Sequence, residues 1–472
     1  MKKRMISLSA LLMTAAMTFS LTACGKTEGV DQGMVSDENV GNATSESAQA
    51  SGVSGGEENA GTESAGEKTI TIAWTNIMEN QQQVWEKYIF APFKEKHPEV
   101  EIDFQCLPDL QNTVRVQVAA GAGPDMFYMD SVDIPDYAST ERILNLEEYR
   151  EQYNLDSQMF DWAIRSCLYQ DQMYALPASV EATAMTYNKD LLDQLGKEVP
   201  ETRDEFVDVC DAALDAGLIP IAFGYSGQPI LMTWPYEHYL TCYAGSEKTA
   251  QLLKGEIGFD DTDIRGAFEL LKADWDAGYV NDKKSGAITN DEARSLFANQ
   301  KAVFNYEGPW LILADGAARN WDFEWGQCAW PSMKDGIPAG SAITLGEAIG
   351  ITANSEVADL CMEMMMDFYS NEEMVGRAVA EGFSTPAVAI GEDSYPEDMD
   401  ENIRKTLDVQ SSNMELESVG YAPWGFFPAK TTTFLDDNLD KVFYDKMDMD
   451  TFIEKANEAI TQDFEDGYTF AG

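Results

Sequence analysis

The stretch from Thr69 to Met129 constrains the fold most. Thr69-Ile70-Thr71-Ile72-Ala73-Trp74 alternates polar and apolar residues, the pattern of a strand whose successive side chains face opposite sides. A helix follows, with Val84, Tyr88 and Phe93 among its apolar positions, and stops near His97-Pro98. Val100, Ile102 and Phe104 alternate again as a second strand. A helical stretch through Val114 to Ala120 closes at Gly121-Ala122-Gly123-Pro124, and Asp125 to Met129 reads as a third, buried strand. Strands separated by helices pair in parallel, because only a long crossover returns the chain to the same end of a sheet. The implied class is α/β, of the doubly wound kind.

Later segments continue in that style. Thr202-Arg203-Asp204-Glu205, Thr289-Asn290-Asp291-Glu292 and Ser370-Asn371-Glu372-Glu373 each fit the S/T-x-x-E capping box, in which two side chains satisfy free backbone donors reciprocally. Ser355 to Phe368 reads as a helix with Val357, Leu360, Cys361, Met364 and Phe368 on one face. Its run of methionines is the filling of a core rather than a ligand set. No internal repeat is visible.

The N-terminus is of a different kind. Lys2, Lys3 and Arg4 precede a largely apolar run from Ile6 to Leu21, too short for a comfortable membrane span and arranged as a secretory signal. Leu21-Thr22-Ala23-Cys24-Gly25 resembles a bacterial lipoprotein signal, which implies cleavage before Cys24 and attachment of lipid to its sulfur. A plain secretory signal with an incidental cysteine is the alternative. Residues 25 to 67 are rich in Gly, Ser, Ala, Thr, Asn and Glu and lack aromatics. Such a stretch cannot bury enough apolar surface to offset the entropy of ordering it, so it is expected to be a flexible linker. Residues 1–23 are thus a signal and 24–67 a lipidated cysteine with its tether. The mature protein is expected at the extracytoplasmic face of the cell membrane, held there through the N-terminal lipid.

The rest of the chain, from Lys68 to Gly472, is long enough for two domains. It contains no second apolar run of membrane-spanning length. The whole chain has 82 acidic and 32 basic residues, a net charge of −50. A surface of that sign repels nucleic acid, which is not expected as a partner, and argues against an anionic ligand. Six cysteines follow Cys24: Cys106, Cys167, Cys210, Cys242, Cys328 and Cys361. An even number in an exported protein permits disulfides. None is close to another in sequence, and Cys210 and Cys361 sit in helical apolar patterns, so buried thiols are the favoured reading. No CxxC spacing marks a metal or redox centre, and neither metal nor cofactor is expected.

Several segments in order resemble the extracellular solute-binding proteins of family 1, the sugar-binding components of ABC importers, to which maltose-binding proteins also belong. Gln117 to Phe127 resembles the family's helix, glycine turn and Pro-Asp strand. Tyr174-Ala175-Leu176-Pro177, followed by Met185-Thr186-Tyr187-Asn188-Lys189-Asp190-Leu191-Leu192, resembles its Tyr-Asn-Lys signature. Phe297 to Phe304 with Gly308-Pro309-Trp310 resembles a third block, although Phe304 stands where the family has methionine. Gly346 to Ser355 resembles the glycine-containing strand that precedes a helix. The resemblance implies a periplasmic-binding-protein-like α/β fold of two lobes, with hinge crossovers and a ligand cleft between them. The chain would cross near Leu176 to Thr183 and near Pro338 to Thr344. Lobe 1 would hold residues 68–180 and about 342–394, and lobe 2 about 183–337 and 395–472. A carbohydrate ligand, an oligosaccharide in the first instance, and the permease subunits of an ABC transporter are the implied partners; a monomer is expected.

A sugar offers hydroxyls and C–H ring faces, so its site needs aromatic platforms beside carboxylates and amides. Ligands of α/β sheets lie beyond the carboxyl ends of strands, which selects Trp74 and Asn76 after the first strand and Asp130 after the third. Glu181 lies in the first implied crossover and Glu347 in the second. Tyr306, Glu307 and Trp310 surround the Gly-Pro-Trp turn, and Trp234 stands beside Pro235. Tyr421 and Trp424 belong to the ring-dense loop Tyr421 to Phe427. Core packing or a solvated loop is the competing role for each. With so many acids, a glycosidase-like carboxylate pair carries no specificity. His97 sits in a Lys-His-Pro turn expected to face solvent, and His238 has no evident partner. No HExxH, GxSxG, Walker A or Rossmann glycine motif is present, so a binding protein is expected rather than an enzyme. A polyamine, a peptide or another small solute on the same fold is the alternative ligand: converging unpaired acids would favour a cation, and stacked rings a sugar.

Overall fold

The computed structural model describes residues 68–74, 79–107, 109–313, 321–416 and 418–470; the signal, Cys24, the linker and Asn76 lie outside them. The alternating opening segment is a strand, β1 (Lys68–Trp74), with Ile70 and Ile72 fully buried. It lies between β2 (Val100–Cys106) and β3 (Met126–Met129) and is parallel to both. The helices that separate these strands in sequence supply the crossovers that parallel pairing requires.

The next strands form two sheets. A short hairpin, β4 (Leu168–Tyr169) and β5 (Gln172–Met173), precedes β6 (Leu176–Ala182), and β7 (Ala184–Asn188) follows after Thr183 alone. β8 (Ile219–Ala222), β9 (Ala302–Glu307) and β10 (Trp325–Cys328) join β7 in a sheet ordered β10-β7-β9-β8. The long β11 (Gly340–Ile351) returns to the first sheet, ordered β12-β11-β3-β1-β2, with β12 (Ser418–Tyr421) at its edge and β6 also paired to β11.

Two large apolar cores accompany the two sheets. One contains Ile70 to Val180 and Leu345 to Val388; the other contains Ala182 to Ile343 and Phe426 to Ile460. Besides the return between Val388 and Phe426, which includes a helix, the chain passes from one core to the other in two extended passages, between Val180 and Ala182 and between Ile343 and Leu345. These two passages are bonded to each other: Thr183 N donates to Ala342 O at 2.9 Å, and Ala342 N donates back to Thr183 Oγ1 at 3.3 Å. Behind them runs the helix Glu401–Met414, whose buried Gln410 and Asn413 donate to the carbonyls of Val180 (3.0 Å) and Thr183 (3.3 Å). The architecture is a two-lobed α/β fold, and the two strand passages with the helix behind them form its waist.

Local expectations mostly have structural counterparts. Thr202 and Thr289 form complete capping boxes. Ser370 does not: Asn371 is the cap of the helix Glu372–Ala380, accepting from Met374 N, while Ser370 terminates the preceding helix Ala358–Tyr369. His97 also departs from expectation, since it is half-buried on Phe93 with Nε2 3.2 Å from Glu363. The six cysteines from Cys106 to Cys361 are free thiols, Cys210 and Cys361 among the four that are buried. Among the described residues no helix is long and apolar enough to cross a membrane, and no cluster of ligating side chains could hold a metal ion.

Candidate functional site

The site is assembled around the waist. In β11 the pairing with β6 slips between Leu345 and Glu347, so that Gly346 is an extra residue in the ladder. A bulge of this kind re-aims side chains. Here it sets Glu347 close enough to Glu181 of β6 for the two carboxyls to repel each other. A side chain at the slip would be crowded, because a Cβ there would lie 2.8 Å from Ser179 Oγ and 2.9 Å from the Glu181 carboxyl carbon.

Both acids are half-buried. Desolvation, helped by Glu347 and then Glu307, pushes Glu181 up to about 8. Burial also raises Glu347, against the side chains of Ser384 and Trp74 that face it. Across from them in lobe 1, the Tyr128 hydroxyl donates to Asp130 Oδ1 at 2.5 Å and Gln111 Nε2 donates to Oδ2 at 3.0 Å. Burial raises Asp130 despite these two donors.

Lobe 2 contributes a wall of rings. Trp310 opens a short helix after the Gly-Pro turn, and its indole Nε1 donates to Glu307 Oε2 at 2.5 Å. Glu307 is itself fixed by Arg294, whose Nε and Nη2 donate at 2.7 and 3.2 Å, and by Asn290 Nδ2 at 2.9 Å. Trp234, on the helix Thr233–Tyr239, has its ring 5.2 Å from that of Trp310 and 5.9 Å from that of Trp424. All three indoles are half-buried, unlike the fully enclosed rings of the core. The turn Pro423–Phe426 that carries Trp424 is tied to lobe 1, since Ser131 Oγ donates to Gly425 O at 2.8 Å.

The residues singled out from the sequence therefore fall into three groups. Asp130, Glu181 and Glu347 are grouped around Tyr128, and Trp234, Trp310 and Trp424 form one ring cluster, linked to the acids through Glu307, which accepts from Trp310 and repels Glu181. Trp74, Glu307 and Tyr306 stand behind these. Trp74 is 1% exposed, packed on Trp85 and Tyr128 at 4.7 and 5.7 Å. Tyr306 is enclosed between His238 and Trp330, and Glu307 is an internal anchor. Tyr421 belongs elsewhere: it packs edge-on against Phe426 and Phe470, each 5.0 Å away. Those two rings line a neighbouring cavity of about 390 Å³, with Ser131 and Arg165 from lobe 1 on its other side. Asn76 is outside the described residues.

Two further residues join the site without having been singled out. Tyr128 holds Asp130 and faces Glu347 and Glu181; its place one residue before the end of β3 gave the only signal. Glu237, 1% exposed, lies close enough to Glu181 to repel it, and its Oε2 has no hydrogen-bond partner among the described residues. His238 is stacked in the core, where burial lowers it to about 3, so it is neutral and supplies no charge.

Relatives and structural neighbours point the same way. The chain is 26% identical over 276 residues to a maltotriose-binding protein of Pyrococcus abyssi, covering 56% of this chain and only 54% of that one. It is 24% identical to a multiple sugar-binding protein of Streptococcus mutans, covering 61% and 69% of the two chains. Identity to a galactooligosaccharide-binding protein of Bacillus subtilis is 26%, covering 68% and 76%. Among solved structures, a chitin oligosaccharide binding protein superposes with a TM-score of 0.73 at 18% identity, covering 84% of this chain and 99% of the other. RafE in complex with raffinose gives 0.64 at 17%, with 84% and 99% covered. At such identities the superpositions show the fold, which is that of two-lobed binding proteins. Residues 78–365 match the family pattern itself, and the chain belongs to the bacterial extracellular solute-binding proteins.

Proposed function

We propose that this protein is the extracytoplasmic binding component of an ABC importer and that its cargo is a carbohydrate of more than one ring. The observation that carries this reading is the wall of Trp234, Trp310 and Trp424 beside half-buried carboxyl groups. Sugar C–H faces pack on aromatic rings and sugar hydroxyls pair with carboxyls, so the two surfaces match the two halves of such a ligand. Three rings in a row offer more platform than one pyranose covers. The relatives that carry the names of oligosaccharide ligands support the same class.

Lobe 1 comprises residues 68–180 and about 342–394, and lobe 2 about 183–337 and 395–472; the break between the two apolar cores supports these limits. Ligand held by both lobes would shift the population toward a closed form by hinge motion at the waist, and the closed form would dock on the permease. The protein is a monomer tethered by lipid on Cys24, with residues 25–67 as spacer. Isothermal titration of the mature chain against neutral mono- and oligosaccharides tests the central claim. Saturable binding of one sugar class without turnover is expected. Cleavage of the oligosaccharide in the cell, or no sugar binding at all, would overturn it. For the anchor, Cys24→Ser is expected to release the protein from the membrane fraction.

A further inference from the structure

The cleft combines two features that separately favour different ligands: stacked rings suit a sugar, and converging acids suit a cation. Glu181 and Glu347 meet across the bulge at Gly346, and Glu237 stands behind Glu181 with an unpartnered buried oxygen. Among the described residues, no lysine or arginine forms an ion pair with Glu181, Glu347, Glu237 or Asp130. The Arg294 guanidinium is engaged by Glu307 and Asp291, and that of Arg115 by Asp133. His238 lies 3.6 Å from Glu237 but is neutral in the core. Among the described residues, Asp130 receives only the neutral donors Tyr128 and Gln111.

We propose that the ligand is a sugar bearing a protonated amino group, its ammonium seated between Glu181 and Glu347 and its ring faces on the Trp234–Trp310–Trp424 wall. The inference rests on the carbohydrate reading and names the chemistry of the sugar. A neutral sugar supplies hydroxyl donors but leaves the repulsion between the acids in place. An ammonium supplies three donors and the missing positive charge, and indole faces attract cations in addition. The neutralised pair then ionises. Because burial and its acidic neighbours hold a proton on Glu181 up to about 8, binding of the cation near neutral pH releases that proton to solvent.

The test is isothermal titration of the mature chain at pH 6.5 with three probes: glucosamine oligomers, their N-acetylated counterparts of equal length, and spermidine. Titrations in two buffers of different ionisation heat count the protons released. The glucosamine oligomer is expected to bind at least about tenfold more tightly than the acetylated one, the scale of one charge-assisted contact, with net proton release. Glu181→Gln and Glu347→Gln are each expected to bring that ratio toward one, while Trp310→Ala weakens both oligomers together; melting temperatures establish that each variant is folded. Equal or tighter binding of the acetylated oligomer overturns the amine and leaves the carbohydrate reading standing. Binding of spermidine alone, or of none of the three, overturns the amine, and the carbohydrate reading then stands or falls on the titrations with neutral sugars.

Discussion

Trp310 owes its place to a glycine two residues before it and to a carboxylate anchored from the preceding helix. Gly308 lies under the indole so closely that a Cβ would stand 1.9 Å from the ring. Glu307 takes the indole proton, and Arg294, thirteen residues earlier on another helix, holds Glu307. Gly308→Ala should therefore turn the ring out of the wall and weaken oligosaccharide binding about tenfold, the value of a lost stacking contact and its buried area. Thermal stability should change little, because the ring is half-exposed already. Retained affinity in titration would separate Trp310 from the ligand. Arg294→Met acts differently: it strands a carboxylate whose side chain is fully enclosed. Breaking such a pair from one side costs about 3–5 kcal/mol, to be read as a lower urea midpoint. The Gly-Pro-Trp turn was legible in the sequence because its neighbours are consecutive. The anchoring role of Glu307 was not, because its partners come from a distant segment.

At the scale of elements, what was legible was local. The strands β1, β2 and β3 and the caps at Thr202 and Thr289 follow from alternation and from contacts within four residues. The third expected cap shows where that logic stops. Ser370 and Asn371 are both good capping residues, and the preceding helix runs through Tyr369, which takes Ser370 as its own terminus and leaves Asn371 to start the next. Asn371→Ala should then cost about 0.5–2 kcal/mol, as lost caps do, while Ser370→Ala should be close to silent. Chemical denaturation of the two variants side by side decides this; the reverse order would mean that the helix begins one residue earlier. The bulge at Gly346 was not legible at all, since it is defined by register against β6 and not by any neighbour in sequence. The site depends on it, because it is the slip that turns Glu347 toward Glu181.

For the whole molecule, parallel pairing of the first strands could be read from their alternation with helices, and the two-lobed class was implied by the family resemblance, but the electrostatics of the waist could not be read. Composition shows an excess of acid everywhere; only the fold collects Glu181, Glu347 and Glu237 at the junction of the two cores. This has a consequence for stability. A carboxyl whose proton is retained on folding favours the folded state at low pH, and that advantage fades as pH rises through its folded value. Glu181 is held up to about 8 and Asp133 and Asp436 to about 7, chiefly by burial, from ordinary values near 4.5 and 3.8. His238 works in the opposite sense, because burial keeps it neutral, but its contribution is complete above its ordinary value of 6.5. The acids whose values are lowered by partners, such as Glu363 beside Lys96 and Asp448 beside Thr451, matter only in the acid range. Between pH 6.5 and 8.5 the buried carboxyls are therefore the groups that change, and the melting temperature of the ligand-free protein should fall across that window. Glu181→Gln, which keeps the shape and cannot ionise, should flatten the slope. A melting temperature that is constant or rising from pH 6.5 to 8.5, or an unchanged slope in Glu181→Gln, would mean that the carboxyls at the waist are already ionised in the ligand-free protein. In that case a cationic ligand would bind there without releasing a proton, so the same melting curves bear directly on the protonation step in ligand capture.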